Sequence, residues 1–293
     1  MTGGVIAALT AAVGFGLTQT VNRKSNLIVG PTRTAFGLLS AIEAALVVRV
    51  VMTGEWRMLA GAPMESLAAF TAAALIHYAI GWTLLAHSQE QIGVARTGAV
   101  ASAAPLVATL LAAVLLDEPL TWAVAGGVGL TVLGVALVST RRKGSAGTMD
   151  GGAFPWFGLA VAVCWGSSPI FIRTGLDGLD APVLGLTFGL GAALVIHLAV
   201  LVMGSTLRHG SWDRQAVGWM AVGGLTGAVG IGAQWVAFGL TTIAVAFTVM
   251  QLATLIVVGL APVVFDAEVE RLTGRLVVGT VSMLVGSAIV VWL

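Results

Sequence analysis

Ten stretches of roughly twenty residues, apolar almost throughout, constrain this chain more than any other feature. They lie near residues 4–26, 32–52, 66–88, 93–116, 121–139, 155–175, 182–203, 216–239, 242–265 and 273–292. About twenty apolar residues is the length that an α-helix needs to cross the hydrocarbon of a bilayer. Backbone groups in hydrocarbon have no water to bond, so only helices and closed barrels span it. The apolar runs are continuous and do not alternate, which excludes a barrel. Composition agrees: hydrophobic residues make up 58% and charged residues 9%, against about 25% charged in a soluble domain. The expected fold class is an all-α membrane protein of ten transmembrane helices, and the expected location is a cell membrane, plasma or bacterial inner, crossed many times.

Several function classes recede at once. A formal net charge of +1 argues against a nucleic-acid partner, leaving the lipid bilayer and a small-molecule substrate as expected partners, with the oligomeric state open. The single Cys164 has no partner for an intrachain disulfide. The sequence contains no Gly-Lys-Ser/Thr phosphate loop, no HExxH or Cys/His ligand cluster and no GxSxG elbow, so no cofactor, metal or catalytic residue is expected. The opening MTGGVIAALT has no basic region before its apolar stretch and is read as a first span, not a removed signal.

The longest polar break, Arg141 to Gly152, falls near the midpoint with five apolar stretches on each side. It divides the chain into 1–140, a linker 141–153, and 154–293. The halves echo each other. Phe15-Gly16 recurs as Trp165-Gly166, and Phe36-Gly37-Leu38 as Phe188-Gly189-Leu190. Ala86 and Ala95 match Ala237 and Ala246, while Glu118, Leu120, Thr121, Gly127 and Gly134 match Glu270, Leu272, Thr273, Gly279 and Gly286. Five is odd, so the second half enters the membrane in the opposite sense. Inverted repeats of this kind mark transporters with a substrate site near the midplane.

The stretch from Gly93 to Val138, with Pro105 in mid-span, the acidic turn Leu116-Asp117-Glu118-Pro119-Leu120-Thr121 and the glycine-spaced helix through Gly127 and Gly134, resembles the EamA-type domain of the drug/metabolite transporter superfamily. Phe15-Gly16 and Trp165-Gly166 stand where that family favours a Trp-Gly pair. The resemblance implies two inverted five-helix repeats around a central cavity, lined mainly by spans 1, 3, 4, 6, 8 and 9. It also implies a secondary transporter, often an exporter of amino acids or other small metabolites. The second half departs from the pattern: Ala253 to Val258 replace the proline region, Pro262 comes later, and the acidic turn, Phe265 to Arg271, is longer and more charged.

Polar and aromatic groups at membrane depth are site hypotheses by default. Phe15, Thr18, Gln19 and Asn22 share a face of span 1, and Trp165, Ser168 and Ile172 share the matching face of span 6. These faces line a cavity or merely pack helix on helix. Span 3 carries His77, Tyr78 and Trp82; Tyr78 and Trp82 share a face while His77 is expected to point elsewhere. Arg96 and Thr97 open span 4, Gln234 lies in span 8, and Thr248 and Gln251 share a face of span 9. Basic groups at a cavity mouth, Arg23, Lys24, Arg96 and Arg173, hold a carboxylate or snorkel to headgroups. His77 and Glu43 are candidate proton sites. A charge at the position of Glu43, mid-span, costs about 2.5–3.5 kcal/mol, so it is protonated, paired or wetted. Trp56, Trp122, Trp156, Trp212, Trp219 and Trp292 fall at span ends, where aromatic belts sit. Gly185/Gly189 and Gly223/Gly227 are small-residue pairs for close helix packing, and Pro105, Pro169 and Pro262 are expected to kink their spans.

Charge also speaks to orientation. With the N-terminus inside, Arg49, Arg57 and Arg173 are the inside cations and the other eleven lie outside, the reverse of the positive-inside rule. Family members of this size have both termini inside, whereas the charge count places both outside and sets the expectation here. Two rival functions remain. A small multidrug cation exporter needs an acidic residue in span 1, which has none. A non-transporting membrane scaffold has no use for the repeat.

Overall fold

The computed structural model describes residues 2–92, 97, 100–139, 156–203, 212–264 and 274–292. The linker 141–153, Arg96 and the second acidic turn lie outside them. The described residues are helical, with no strand among them. Six helices are long and apolar enough to cross a membrane: α1 (Thr2–Val29), α2 (Pro31–Thr53), the stretch beginning at Met64, α7 (Trp156–Gly178), α8 (Pro182–Met203) and α9 (Arg214–Leu240). Four further apolar helices are shorter: Ala104–Leu115, Trp122–Leu137, Ile243–Val257 and Val277–Trp292. Each of the ten expected apolar stretches thus contains helix, but four of these helices fall short of the expected length among the described residues.

The local chemistry explains where helices stop. Gly30 (φ 82°) and Pro31 open α2, and Gly54 (φ 76°) closes it, donating to the Val51 carbonyl. Only glycine adopts such positive φ readily, and proline suits a first helical turn. A short 3-10 helix, Glu55–Gly61, follows. Asp213 caps α9 by accepting from the Gln215 and Ala216 amides at 2.8 and 3.0 Å. The third apolar stretch is α3 (Met64–Ala74), a π-helical turn Leu75–Gly81, and α4 (Trp82–Ile92). A π-turn inside an α-helix is uncommon and concentrates at functional sites.

Two stretches are interrupted in the middle. The fourth is broken at Ser102–Ala103, after which α5 runs over Ala104–Leu115 with Pro105 in its first turn. The ninth is broken at Gln251–Leu252, between α10 (Ile243–Met250) and α11 (Ala253–Val264). Both breaks carry tight i→i+3 bonds: Ala103 to the Val100 carbonyl at 3.1 Å, and Gln251 to that of Thr248 at 3.2 Å. Proline accompanies only the first. Pro169 lies inside α7, which is assigned as one continuous helix.

Small residues set the packing. α1 lies along α9, and a Cβ on Gly14 would stand 2.5 Å from the Gly230 Cα, so the backbones touch where lipid supplies no hydrophobic drive. α6 (Trp122–Ser139) lies along α12 (Gly274–Trp292), with Gly127 against the Gly286 carbonyl. Gly185 and Gly189 seat α8 on Phe70 of α3, while Gly223 and Gly227 seat α9 on Leu38 and Ile42 of α2. Both glycine pairs therefore pack as expected, and each receives a helix of the other half.

Candidate functional site

The aromatic-glycine pair is where sequence and packing meet. A Cβ on Gly16 would meet the Ile256 Cβ at 2.6 Å and the Ala253 carbonyl at 3.2 Å. On Gly166 it would meet the Val107 Cβ at 2.6 Å and the Ala104 carbonyl at 2.8 Å. Gly16 of α1 thus receives α11, the segment after the second break, and Gly166 of α7 receives α5, the segment after the first. The clamp is reciprocal: each half's glycine holds the other half's interrupted helix. The residue before each glycine, Phe15 or Trp165, is partly exposed and packs against the buried core.

Trp165 anchors a cluster. His77 stacks on it, with ring centroids 5.6 Å apart and planes 17° from parallel. The same imidazole touches Tyr78 at 4.6 Å, and Tyr78 meets Trp82 edge-on at 6.3 Å. His77 therefore does not point away from Tyr78 as α-helical spacing predicts. The π-turn carrying both residues is closed by i→i+5 bonds, which narrows the angular step between successive side chains, and His77 faces Trp165 of α7 while staying beside Tyr78. Gly81, at the end of that turn, leaves room for the indole: a Cβ there would lie 2.8 Å from Trp165 Nε1.

The His77 Nδ1 lies 2.8 Å from Ser168 Oγ, whose hydroxyl also reaches the Trp165 carbonyl at 3.1 Å. A serine hydroxyl has one proton. When it donates to Trp165, it accepts from His77 Nδ1–H, and Nε2 is left as a hydrogen-bond acceptor. Two buried polar atoms in these stripes have no partner: Trp165 Nε1 and Asn22 Oδ1. Such atoms are costly to leave unpaired.

Other expected residues divide. On α1, Phe15, Gln19 and Asn22 form one stripe, with Gln19 exposed and its two neighbours partly so. Thr18 turns aside: its hydroxyl donates to the Gly14 carbonyl at 2.8 Å and lies 2.9 Å from Thr226 Oγ1 of α9. It is a packing residue. Thr97 is fully buried and bonded to Ser88 at 2.9 Å, closing the junction of the third and fourth stretches. Gln234 is nearly buried in α9. Thr248 is buried in α10, its hydroxyl unpartnered, while Gln251 is partly exposed at the second break. Trp235 is buried against Phe70, and His197 bonds back to its own helix at the Ala193 carbonyl, 3.2 Å away. Of the end-of-span tryptophans, Trp56, Trp122, Trp156, Trp212 and Trp292 are exposed, whereas Trp219 lies under the Lys24 ammonium at 4.9 Å.

One polar lock joins residues far apart in the chain. The Glu118 carboxylate, in the turn between α5 and α6, accepts from the Ile243 amide with both oxygens, at 3.0 and 2.9 Å. It caps α10 from 125 residues away. Arg173 of α7, expected either to hold a carboxylate or to snorkel, donates to the carbonyls of Phe238 and, at 3.0 Å, Thr241. Burial pushes the Glu118 carboxyl above the usual carboxylate range, against the opposing pull of the Ile243 amide and the Arg173 charge. A carboxylate and a guanidinium thus grip the α9–α10 turn.

Comparison with known proteins gives three findings. Residues 2–140 match the model of the EamA-like transporter family. A crystal structure 17% identical in sequence superposes with a TM-score of 0.72, covering 98% of this chain and 94% of that one, which shows a shared fold. A search of curated proteins returned no match.

Proposed function

We propose that the whole chain, 1–140 and 154–293 as two inverted five-helix repeats joined by 141–153, is a secondary transporter working by alternating access, a reading supported by the match of residues 2–140 to the EamA-like transporter family. The carrying observation is the reciprocal clamp, Gly16 on α11 and Gly166 on α5. Interrupted helices at matching positions of two halves are the usual pointer to a transporter's site. Here each break lies beside an aromatic residue of the opposite half.

The solute binds between α1, the π-turn, α5, α7 and the α10–α11 break. Trp165 and Tyr78 form an aromatic wall, His77 contributes an acceptor, and Gln19, Asn22 and Gln251 contribute amides. A wall of neutral polar and aromatic side chains suits a small metabolite without large net charge, such as an amino acid, and the direction proposed is export. The driving force is a proton gradient or the solute's own gradient.

The test is Trp165→Ala in purified protein and in cells. A solute at 100 times its Kd stabilises the folded protein by about 2.7 kcal/mol. A thermal-shift screen of amino acids, purines, organic cations and phosphorylated sugars should give a shift confined to one class. Trp165→Ala should abolish that shift and the matching export while keeping the unliganded melting temperature within a few degrees. Export that survives the substitution removes Trp165 from the site, and absence of any shift or export moves the chain to the scaffold reading.

A further inference from the structure

Glu43 sits twelve residues into the twenty-three of α2, about 18 Å from the start of that helix by helical rise and so deep in the bilayer. It faces α8: its Oε1 lies 3.2 Å from where a Cβ on Gly191 would be. The missing side chain at Gly191 leaves the space in which the carboxyl lodges. Its other oxygen, Oε2, is buried without a hydrogen-bond partner.

Among the described residues no cation pairs with it, and on α2 itself Arg33 stands ten residues before it, about 15 Å along the axis. The elements packed on α2 are α8, α9, α1 and the 3-10 helix after it. On α8 the titratable group is His197, six residues and about 9 Å beyond Gly191. On α9 it is Arg214, about 15 Å along the axis from Gly224, which packs on Ala41. On α1, Arg23 and Lys24 lie close to the Gly30 turn, about 10 Å from the level of Glu43. Beyond the end of α2, Glu55 is held by Arg49 at 2.6 Å and Arg57 lies over Trp56. Arg49 itself stands six residues from Glu43 and is committed to Glu55. The Arg49–Glu55 contact is the one ion pair among the described residues.

An ionised carboxylate with a buried, unpartnered oxygen and no counter-charge is untenable in hydrocarbon. We propose that Glu43 is an intramembrane proton-binding site, held as the neutral acid in the α2–α8 seam and open to a hydrophobic carbodiimide dissolved in the lipid. The seam joins a helix of one half to a helix of the other, so a relative motion of the halves alters what surrounds the proton. The proposal requires only that α2 crosses the bilayer; it stands whether or not the chain transports a solute.

The protonated acid adds across one C=N bond of the carbodiimide. The carboxyl oxygen bonds to the central carbon and the acid proton passes to nitrogen. The resulting O-acylisourea rearranges by acyl transfer from oxygen to nitrogen into a stable N-acylurea, with no leaving group. The test is treatment of the full chain in native membranes with dicyclohexylcarbodiimide, followed by peptide mass mapping. Glu43 should carry the whole mass of the reagent, Glu43→Gln should carry none, and labelling should fall about tenfold per pH unit above its midpoint, as for one proton. An infrared difference spectrum, wild type minus Glu43→Gln at pH 7, should show the carbonyl stretch of a protonated acid. An adduct confined to other carboxyls together with carboxylate bands in that spectrum would overturn the proposal, as would labelling independent of pH.

Discussion

The fourth and ninth apolar stretches break at corresponding places, yet only the fourth has a proline at its break. In the fourth, Pro105 lies in the first turn of α5 just after Ser102–Ala103; in the ninth, Gln251–Leu252 break the helix and α11 follows from Ala253, with no proline in its first turn. If proline caused the interruption, the ninth stretch would run through. What the two breaks share is the neighbour: a glycine of the opposite half pressed against the segment that follows, Gly166 on α5 and Gly16 on α11. Both breaks therefore go with crosswise packing, and Pro105 adds to the first locally by lacking an amide donor.

The sharpest way to break this comparison is to fill the two contact points. Gly16→Leu and Gly166→Leu each drive a side chain into backbone, and each should lose about 3 kcal/mol or more, at the top of the overpacking range. Detergent thermal melts should show both variants severely and similarly destabilised. One tolerated and one lethal substitution would mean that the halves are not clamped alike.

A second test probes what the two stretches do not share. α10 is capped by Glu118 through the Ile243 amide, and Glu118→Ala removes that cap at an expected loss of about 1–2 kcal/mol, the usual range for losing a helix cap. Glu118→Gln keeps an acceptor and should lose less than half as much. Amide exchange should localise the loosening to Ile243–Met250. Smaller still is Pro105→Ala. If crosswise packing holds the break, the change should cost about 1 kcal/mol, the centre of the range for single substitutions, and amide exchange at Ser102–Ala103 should be unchanged. Protection appearing there would return the break to proline.

The smallest effect is in pH. Burial raises the Glu118 carboxyl above its ordinary value of 4.5, so the folded protein holds this proton more tightly than the unfolded chain. That contribution is complete below pH 4.5 and is lost as pH rises through the raised value. Melting temperatures followed from pH 7 down to 5 should therefore improve slightly for wild type relative to Glu118→Gln. A relative decline would reverse the sign and place a net stabilised carboxylate at the cap.

Much of the fold was legible because its signals are local. The apolar stretches, the glycine pairs on α8 and α9, and the aromatic-glycine openings of the halves all rest on composition and spacing. The pieces missed were long-range or came from irregular backbone. His77 was aimed wrongly because α-helical spacing does not hold through the Leu75–Gly81 π-turn. The Thr18 hydroxyl meets Thr226, 208 positions away, a contact that no local pattern marks. The break at Gln251 lacks the proline that would have marked it. Glu118 was visible as a repeated acidic turn, but its partner Ile243 could be found only once the halves were docked.

The central claim, two clamped halves that alternate access to a site at their breaks, is tested most directly by thiol accessibility. With Cys164→Ala as background, Gln251→Cys is exposed to a small membrane-impermeant thiol reagent in intact cells and, separately, in inverted membrane vesicles. Alternating access predicts labelling from both faces, with protection by the solute that shifts the melting temperature. Labelling from one face only, or from neither, would contradict the account.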